Sequence, residues 1–419
     1  MISRRLVADV PLVLVALTLS ICGVAMVYSA GQTDTPTVAA HAYRSQIVWV
    51  LLGIGAAMLV SRASVRFIEW VTVPAYGLTL LLLAVLLLPG IGGGAGDAAS
   101  SKSWIVIAGH RLGQPSELAK ITVVLMLARV LGSRRDPPRS ILELWRPALV
   151  VLVPWLLIMA QPDLGTGMVF IGTFIVMLFW SGVPLPLLVL IASPAVSLLL
   201  AFNTQYWGAW FVVLLALVLW YKPFVAEGVG LMVSNVAMGV IAPLLWEKLQ
   251  PYQQHRLLVF LDPTIDPKRS GYHVIQSKVA IGSGGWLGKG FTLGTQKRLH
   301  FLPEQHTDFI FAVVGEELGF LGVTFSLMLF LLLLLRAIRV AGRANDSFSS
   351  LLAIGLASNW LVHIIVNVGM TLNLMPITGI PLPFFSYGGS FMLASWMAIG
   401  LLLRISAEGR GGRTGEMVI

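Results

Sequence analysis

The chain has 419 residues, of which 57% are hydrophobic and only 11% are charged. Soluble domains carry about 25% charged residues, so this composition excludes a soluble globular fold. The formal net charge of +9 does not indicate nucleic-acid binding, because the basic residues sit in short loops beside apolar runs. The single cysteine, Cys22, lies inside an apolar run, which excludes a disulfide framework and a cysteine-based metal site.

Apolar runs long enough to cross a bilayer follow one another along the chain and predict an all-α polytopic membrane protein. The first run follows Arg4 and Arg5, has full span length and lacks a convincing cleavage site. We therefore expect a retained first helix rather than a signal peptide. The sequence predicts about twelve membrane helices, near residues 9–29, 46–62, 68–89, 116–133, 146–161, 166–182, 185–203, 207–222, 227–247, 307–336, 349–372 and 387–405.

The basic residues of the loops predict the orientation of these helices. They cluster on one side, at Arg4, Arg5, Arg62, Arg66, Arg134, Arg135, Arg139, Lys222, Arg336, Arg339, Arg343, Arg404 and Arg410. By the positive-inside rule this side is the cytoplasm, so both termini are cytoplasmic and the long polar loop 248–306 is extracytoplasmic. That loop is also basic, which an anionic substrate or lipid headgroup and a merely solvated loop explain equally well.

Two short segments carry charged residues at the predicted start of a helix. Glu117 and Lys120 are three residues apart, so they can pair on one helix face. A structural ion pair with a helix cap is slightly favoured for Glu117. For Lys120 the sequence does not decide between a structural and a functional role. Asp163 follows Pro162 and lies two residues before Gly165, which is a turn signal, although an acid at membrane depth is also a functional candidate.

The helix predicted near 307–336 carries three acids. Asp308 lies near its N-terminus, where it complements the helix dipole. Glu316 and Glu317 lie two to three turns further along, where at least one should face the protein interior and have a partner. His363 is a lone polar residue of a later apolar run, and we expect a hydrogen-bonded packing residue rather than a ligand.

The glycine-rich run 282–290 does not fit a phosphate-binding loop, because Ser283 replaces the first glycine and no serine or threonine follows Lys289. It predicts a flexible loop on the membrane surface.

Asp262 and Asp266 each precede a proline, which predicts two turns. Asp266 also has Lys268 and Arg269 as neighbours. The functional alternative is therefore a general base that acts on an anionic, lipid-linked substrate outside the membrane.

Several segments together resemble the SEDS family of bacterial peptidoglycan polymerases, which includes RodA, FtsW and SpoVE. They are 114–120, 161–166, 262–263, 266–267, 271–277, 302–311, 315–319 and 381–390, in order along nearly the whole chain. Residues 294–296, together with His306 before Thr307, are similar to the RodA, or elongation, branch. Two features differ from the family: residues 183–226 form a probable extra helix pair beside the usual ten spans, and Ser103 stands before Trp104 where arginine is frequent.

The resemblance implies a glycosyltransferase of the bacterial cytoplasmic membrane that polymerises lipid II into β-1,4 glycan with inversion, releases undecaprenyl diphosphate and acts in cell elongation. It implies Asp266 as the catalytic base. Substrate contacts are expected from Arg256, Lys278, Lys120, Gln276 and His306, and a cavity shaped by Glu117, Asp163, Asp308, Glu316, Ser386 and Tyr387. A divalent cation, magnesium or manganese, is a candidate for the departing diphosphate; no organic cofactor and no nucleic acid are expected.

The implied partners are a class B penicillin-binding protein, which supplies the transpeptidase, and other proteins of the elongation complex. Two alternatives remain. A lipid II flippase would use the same lipid and spans but needs a central polar cavity instead of a base on an outward loop. A septal, FtsW-like polymerase has the same chemistry with another partner.

Overall fold

The computed structural model describes residues 9–34, 38–88, 90–93, 103–107, 110–134, 136–249, 254, 258–260, 270–299 and 304–415. The helices of this part are α1 (Val10–Ala30), α2 (Ala42–Arg62), α3 (Val65–Val85), α4 (Pro115–Gly132), α5 (Trp145–Ala160), α6 (Leu164–Trp180), α7 (Leu185–Leu200), α8 (Thr204–Tyr221), α9 (Val225–Lys248), α10 (Ser270–Gly284), α11 (Thr295–Arg298), α12 (Ile310–Ala341), α13 (Ser347–Thr371) and α14 (Gly389–Gly415). Between α3 and α4, the strands β1 (Gly92–Gly93), β2 (Trp104–Ile107) and β3 (His110–Gly113) form a small antiparallel sheet that was not predicted.

Helices form at all twelve predicted positions, and the all-α polytopic membrane fold is confirmed. Among the described residues, nine helices are long and apolar enough to cross a membrane. The apolar helices α6 and α7 are shorter, and α4 carries the charged residues Glu117, Lys120 and Arg129. The loop 248–306 contains α10 and α11, which were not predicted because neither has a long apolar run.

The helices α13 and α14 form the centre of the molecule. In the apolar stretch of each helix, 78% of the residues of α13 and 72% of those of α14 are buried, whereas the value for α8 is 6%. Helix α13 packs against α4, α6 and α12, and α14 packs along α2. The ring of Phe384 lies between Trp360 of α13 and Trp396 of α14, with centroids 5.5 and 5.8 Å away. His363 therefore lies on one of the two most central helices, and α4, which carries Lys120, packs directly against it.

The helices α7, α8 and α9 pack mainly among themselves, around Leu190, Leu214 and Leu231. A buried polar contact joins α7 to α9: Ser197 Oγ donates to Asn235 Oδ1 at 2.6 Å, and Asn235 Nδ2 donates to Ser193 Oγ at 2.8 Å. The contact of α7 with α6 is much smaller than its contact with α9. The extra helix pair at 183–226 stays a prediction, and these residues contact α9 more than the central helices.

Helix α12 is broken at Gly319, whose φ of 62° and ψ of −160° are not helical. The glycine-rich segment fills the break, because Phe320 N donates to Gly285 O at 2.8 Å and Gly290 N donates to Glu317 O at 3.0 Å. A Cβ added to Gly288 would lie 2.1 Å from Glu317 O, so only glycine allows this approach. The segment lies at the surface as predicted, since Trp286 and Leu287 are exposed, and it also replaces backbone hydrogen bonds lost at the break.

Candidate active site

A buried polar cluster joins α4 to α13. Lys120 Nζ lies 2.9 Å from each carboxylate oxygen of Glu117 and 2.9 Å from His363 Nε2. Glu117 and Lys120 are each only 3% exposed. The predicted ion pair is therefore confirmed, and it includes a histidine that sequence spacing does not connect to either residue.

His363 is oriented by the chain that follows α13. Its Nδ1 lies 2.9 Å from the carbonyl oxygen of Pro381, which only accepts hydrogen bonds. Nδ1 therefore carries the proton, and Nε2 accepts from the Lys120 ammonium. The imidazole stacks on Phe391 with centroids 4.5 Å apart, and Lys120 Nζ lies 4.9 Å from the same ring. His363 is hydrogen-bonded as predicted, but it is not isolated. Two of the three ammonium N–H groups of Lys120 are therefore used by Glu117 and His363.

Asp163 begins α6. Its Oδ1 accepts from Thr166 N at 3.0 Å and its Oδ2 from Thr166 Oγ1 at 2.9 Å, the pattern of a helix N-cap. The Nε2 of Gln114 lies 3.4 Å from the same Oδ2 and joins this cap to the start of α4. The turn prediction is confirmed, and Asp163 also holds the first turns of α4 and α6 together.

Asp308 and Ser386 fix the segment that bears the partner of His363. Asn367 Nδ2 donates to the backbone oxygens of Asp308 at 3.0 Å and Ile380 at 2.8 Å. Ser386 Oγ accepts from Leu382 N at 2.8 Å, and its carbonyl oxygen accepts from a buried glutamine of α2 at 3.0 Å. Both residues thus hold the segment beside His363 in place, and their role in shaping a cavity stays a prediction.

His306 and Tyr387 meet where the segments leading into α12 and α14 touch. Tyr387 N donates to His306 O at 2.9 Å, and the two ring centroids are 5.6 Å apart. Burial lowers the pKa of His306, and the carboxylate of Glu304 opposes this change. The neutral imidazole is therefore favoured, which suits hydrogen bonding to a sugar better than charge pairing with a diphosphate.

Two other predicted substrate contacts lie on α10. Gln276 is half-buried and Lys278 is exposed. Between them, Ser277 Oγ donates to Thr371 O at 2.8 Å and fixes α10 on the end of α13. Arg256 and Asp266 lie outside the described residues.

Glu316 and Glu317 are both fully buried and both paired, so the prediction of an interior partner is confirmed. Glu316 Oε1 lies 2.7 Å from Lys289 Nζ, and Glu317 pairs with Lys297. Their partners belong to the large loop, whereas the Lys120 cluster belongs to α4 and α13. Sequence reasoning gave no signal for Lys297, one basic residue among several in that loop.

In the part of the chain that the structure describes, no group of three or more His, Cys, Asp or Glu side chains could hold a metal ion. These described residues therefore do not provide a site for the candidate magnesium or manganese ion.

Comparison with known proteins identifies the family. The model of the FtsW, RodA and SpoVE family, described as cell cycle protein, matches residues 10–211 and 207–411. The chain belongs to this family. It is 35% identical to the peptidoglycan glycosyltransferase RodA of Treponema pallidum, over 96% of this chain and 98% of that protein. It is 36% identical to the peptidoglycan glycosyltransferase MrdB of Escherichia coli K12, over 78% of this chain and 76% of that protein.

Solved structures show the same fold. A chain from a peptidoglycan synthase complex that coordinates polymerization and crosslinking superposes with a TM-score of 0.67 and 29% identity, covering 95% of this chain and 97% of that one. The rod shape determining protein RodA of Thermus thermophilus gives a TM-score of 0.60 and 27% identity, covering 95% and 96%. The resemblance inferred from the sequence motifs is confirmed.

Proposed function

We propose that the chain polymerises lipid II into β-1,4-linked glycan strands at the outer face of the bacterial cytoplasmic membrane. The chain is a peptidoglycan glycosyltransferase of the FtsW, RodA and SpoVE family. The observation that carries this conclusion is the family match over residues 10–411, supported by near full-length relatives that bear the glycosyltransferase name. The buried cluster of Glu117, Lys120 and His363 supports a polar site inside an otherwise apolar bundle.

The reaction joins two lipid-linked sugars. The acceptor 4-hydroxyl attacks the anomeric carbon of the donor, and the bond from that carbon to the diphosphate oxygen breaks. An α-linked donor then gives a β-linked product, so the configuration is inverted. Asp266 accepts the hydroxyl proton as general base. Arg256 and Lys278 supply positive charge for the departing undecaprenyl diphosphate.

Elongation is the proposed cellular role, with a class B penicillin-binding protein and other elongation proteins as partners. Relatives named RodA and MrdB support this branch. A probable peptidoglycan glycosyltransferase FtsW of Trichlorobacter lovleyi is 34% identical, so a septal role with the same chemistry is the alternative. The similar chain from a complex that coordinates polymerization and crosslinking supports a transpeptidase partner.

The function is tested with the purified full chain and labelled lipid II, alone and with its cognate transpeptidase. A ladder of glycan strands on a gel is expected, with more product when the transpeptidase is present. Transfer of lipid II across proteoliposomes without any polymer would contradict the proposal and support the flippase alternative.

The outward location of the loop 248–306 is tested by thiol labelling. Cys22 is the only cysteine of the chain, so a Cys22→Ala background leaves one introduced thiol, Ser270→Cys. A membrane-impermeant maleimide is expected to label this variant in intact spheroplasts. Labelling only after lysis would place the loop in the cytoplasm and contradict the proposed topology.

A further inference from the structure

Three fully buried side chains from distant parts of the chain form one polar group: Ser29 of α1, Lys297 of α11 and Glu317 of α12. Lys297 Nζ donates to Ser29 O at 2.6 Å and to Ser29 Oγ at 2.5 Å, and it pairs with Glu317. Ser29 Oγ donates to Glu317 Oε2 at 2.5 Å. Each group thus contacts the other two, and we call this group the Glu317 clamp.

The carboxylates of α12 also hold the backbone of the large loop. Glu317 accepts from Thr292 N at 3.1 Å and Gly294 N at 3.4 Å. Glu316 Oε1 accepts from Thr295 N at 2.8 Å and Gln296 N at 3.1 Å. Amide groups from 292 to 296 therefore converge on two adjacent acids, which fixes where the loop enters the bundle.

A gain in folding free energy does not explain the Glu317 clamp. Lysine is almost never fully buried unless it is paired. Burial lowers the pKa of Lys297, although the nearby Glu317 carboxylate opposes this change. A buried ion pair contributes little net free energy, because desolvation offsets the attraction, but it tolerates few alternative geometries. The consequence is a defined position for the loop rather than added stability.

The segment that the clamp holds leads back to α10. The segment between α10 and the clamp fills the break in α12, and Ser277 holds α10 on Thr371. Lys278, a proposed contact of the departing diphosphate, lies on α10 six residues before its end at Gly284. The segment that the clamp fixes follows that end directly.

We propose that Glu317, through Lys297 and Ser29, is a positioning residue that holds the large loop so that Lys278 of α10 meets the departing diphosphate. The role rests on the glycosyltransferase function proposed above. The clamp itself touches neither substrate nor the reacting atoms.

Glu317→Gln tests the proposal, since it keeps the shape but leaves Lys297 buried without a counter-charge. Moving a catalytic or substrate-binding group by about 1 Å can lower the reaction rate by about 10²-fold. We expect kcat to fall by about that factor while KM for lipid II changes little. The double variant Glu317→Gln, Lys297→Met removes both charges and should recover at least about tenfold of the loss.

Asp34→Asn is the matched control, because it breaks an ion pair of the same segment at the surface. Arg298 Nε lies 3.1 Å from Asp34 Oδ1, and these side chains are 47% and 53% exposed. Exposed pairs contribute about 0–1 kcal/mol, so polymerisation should stay near that of the wild type. If Glu317→Gln does not fold, Ser29→Ala keeps both charges and should show a smaller loss of kcat in the same direction.

Hydrogen exchange of the amides 292–296 gives a readout that does not depend on activity. Exchange should be faster in Glu317→Gln, slow again in the double variant, and unchanged in Asp34→Asn. Wild-type kcat in Glu317→Gln, or loss of kcat with wild-type exchange, would overturn the positioning role. An inactive wild type would instead contradict the proposed function, while faster exchange in the variant would still support the clamp.

Discussion

The ammonium of Lys120 lies 2.9 Å from Nε2 of His363, although the two residues are 243 positions apart in the chain. Together with the pairing to Glu117, this contact satisfies a buried cation before any substrate is present. Lys120 was expected to contact the substrate. In this arrangement the ammonium has one N–H group left for such a contact, because Glu117 and His363 accept from the other two.

Replacing Lys120 with methionine should therefore destabilise the fold. The Glu117 carboxylate would remain buried without its cation, which typically costs about 3–5 kcal/mol. The double variant Glu117→Gln, Lys120→Met should recover much of the loss, as measured by thermal unfolding in detergent. A folded double variant that still polymerises lipid II would contradict a substrate contact by Lys120.

Asp266→Asn should abolish most glycan synthesis. The amide keeps the size of the side chain but cannot accept the hydroxyl proton, and loss of a general base costs about 10²–10⁴-fold in rate. Asp262→Asn, the internal control, should cost much less. Strand formation from labelled lipid II is measured for both variants, with expression and partner co-purification checked. Near-normal synthesis by Asp266→Asn would remove this acid as the base.

Deletion of the helix pair within 183–226 should leave some polymerisation, because only 6% of the apolar stretch of α8 is buried and the pair contacts the central helices little. The deletion also removes Ser193 and Ser197, the partners of Asn235. An accompanying Asn235→Leu avoids an unsatisfied amide in lipid. Complete loss of activity in a well-inserted deletion variant that still binds lipid II would make the segment part of the catalytic machinery.

His306 should make the folded protein less stable as the pH is lowered. Burial lowers its pKa below the ordinary value of 6.5, so the unfolded chain binds the proton first as the pH falls. The contribution of the neutral imidazole is thus complete above about pH 6.5 and is lost as the pH falls through the folded pKa. Melting temperatures from about pH 8 to about pH 5 should decrease less steeply in His306→Gln. Parallel curves for the two proteins would contradict this assignment.

The features that the sequence predicted correctly depend on residues close together in the chain. Apolar runs predict helices because a bilayer offers no water, so each segment must satisfy its own backbone groups. The Glu117–Lys120 pair follows from a spacing of three residues on one helix face, and the Asp163 turn from its neighbours. The family motifs likewise use short segments in a fixed order.

Only the tertiary structure decided which distant groups meet. His363 reaches Lys120, and Lys297 reaches Ser29 and Glu317, because separate helices pack together. The break at Gly319 is equally non-local, since its hydrogen bonds come from the glycine-rich segment. Contacts of this kind depend on which side chains fit at close range in the packed bundle, and helical periodicity does not carry that information.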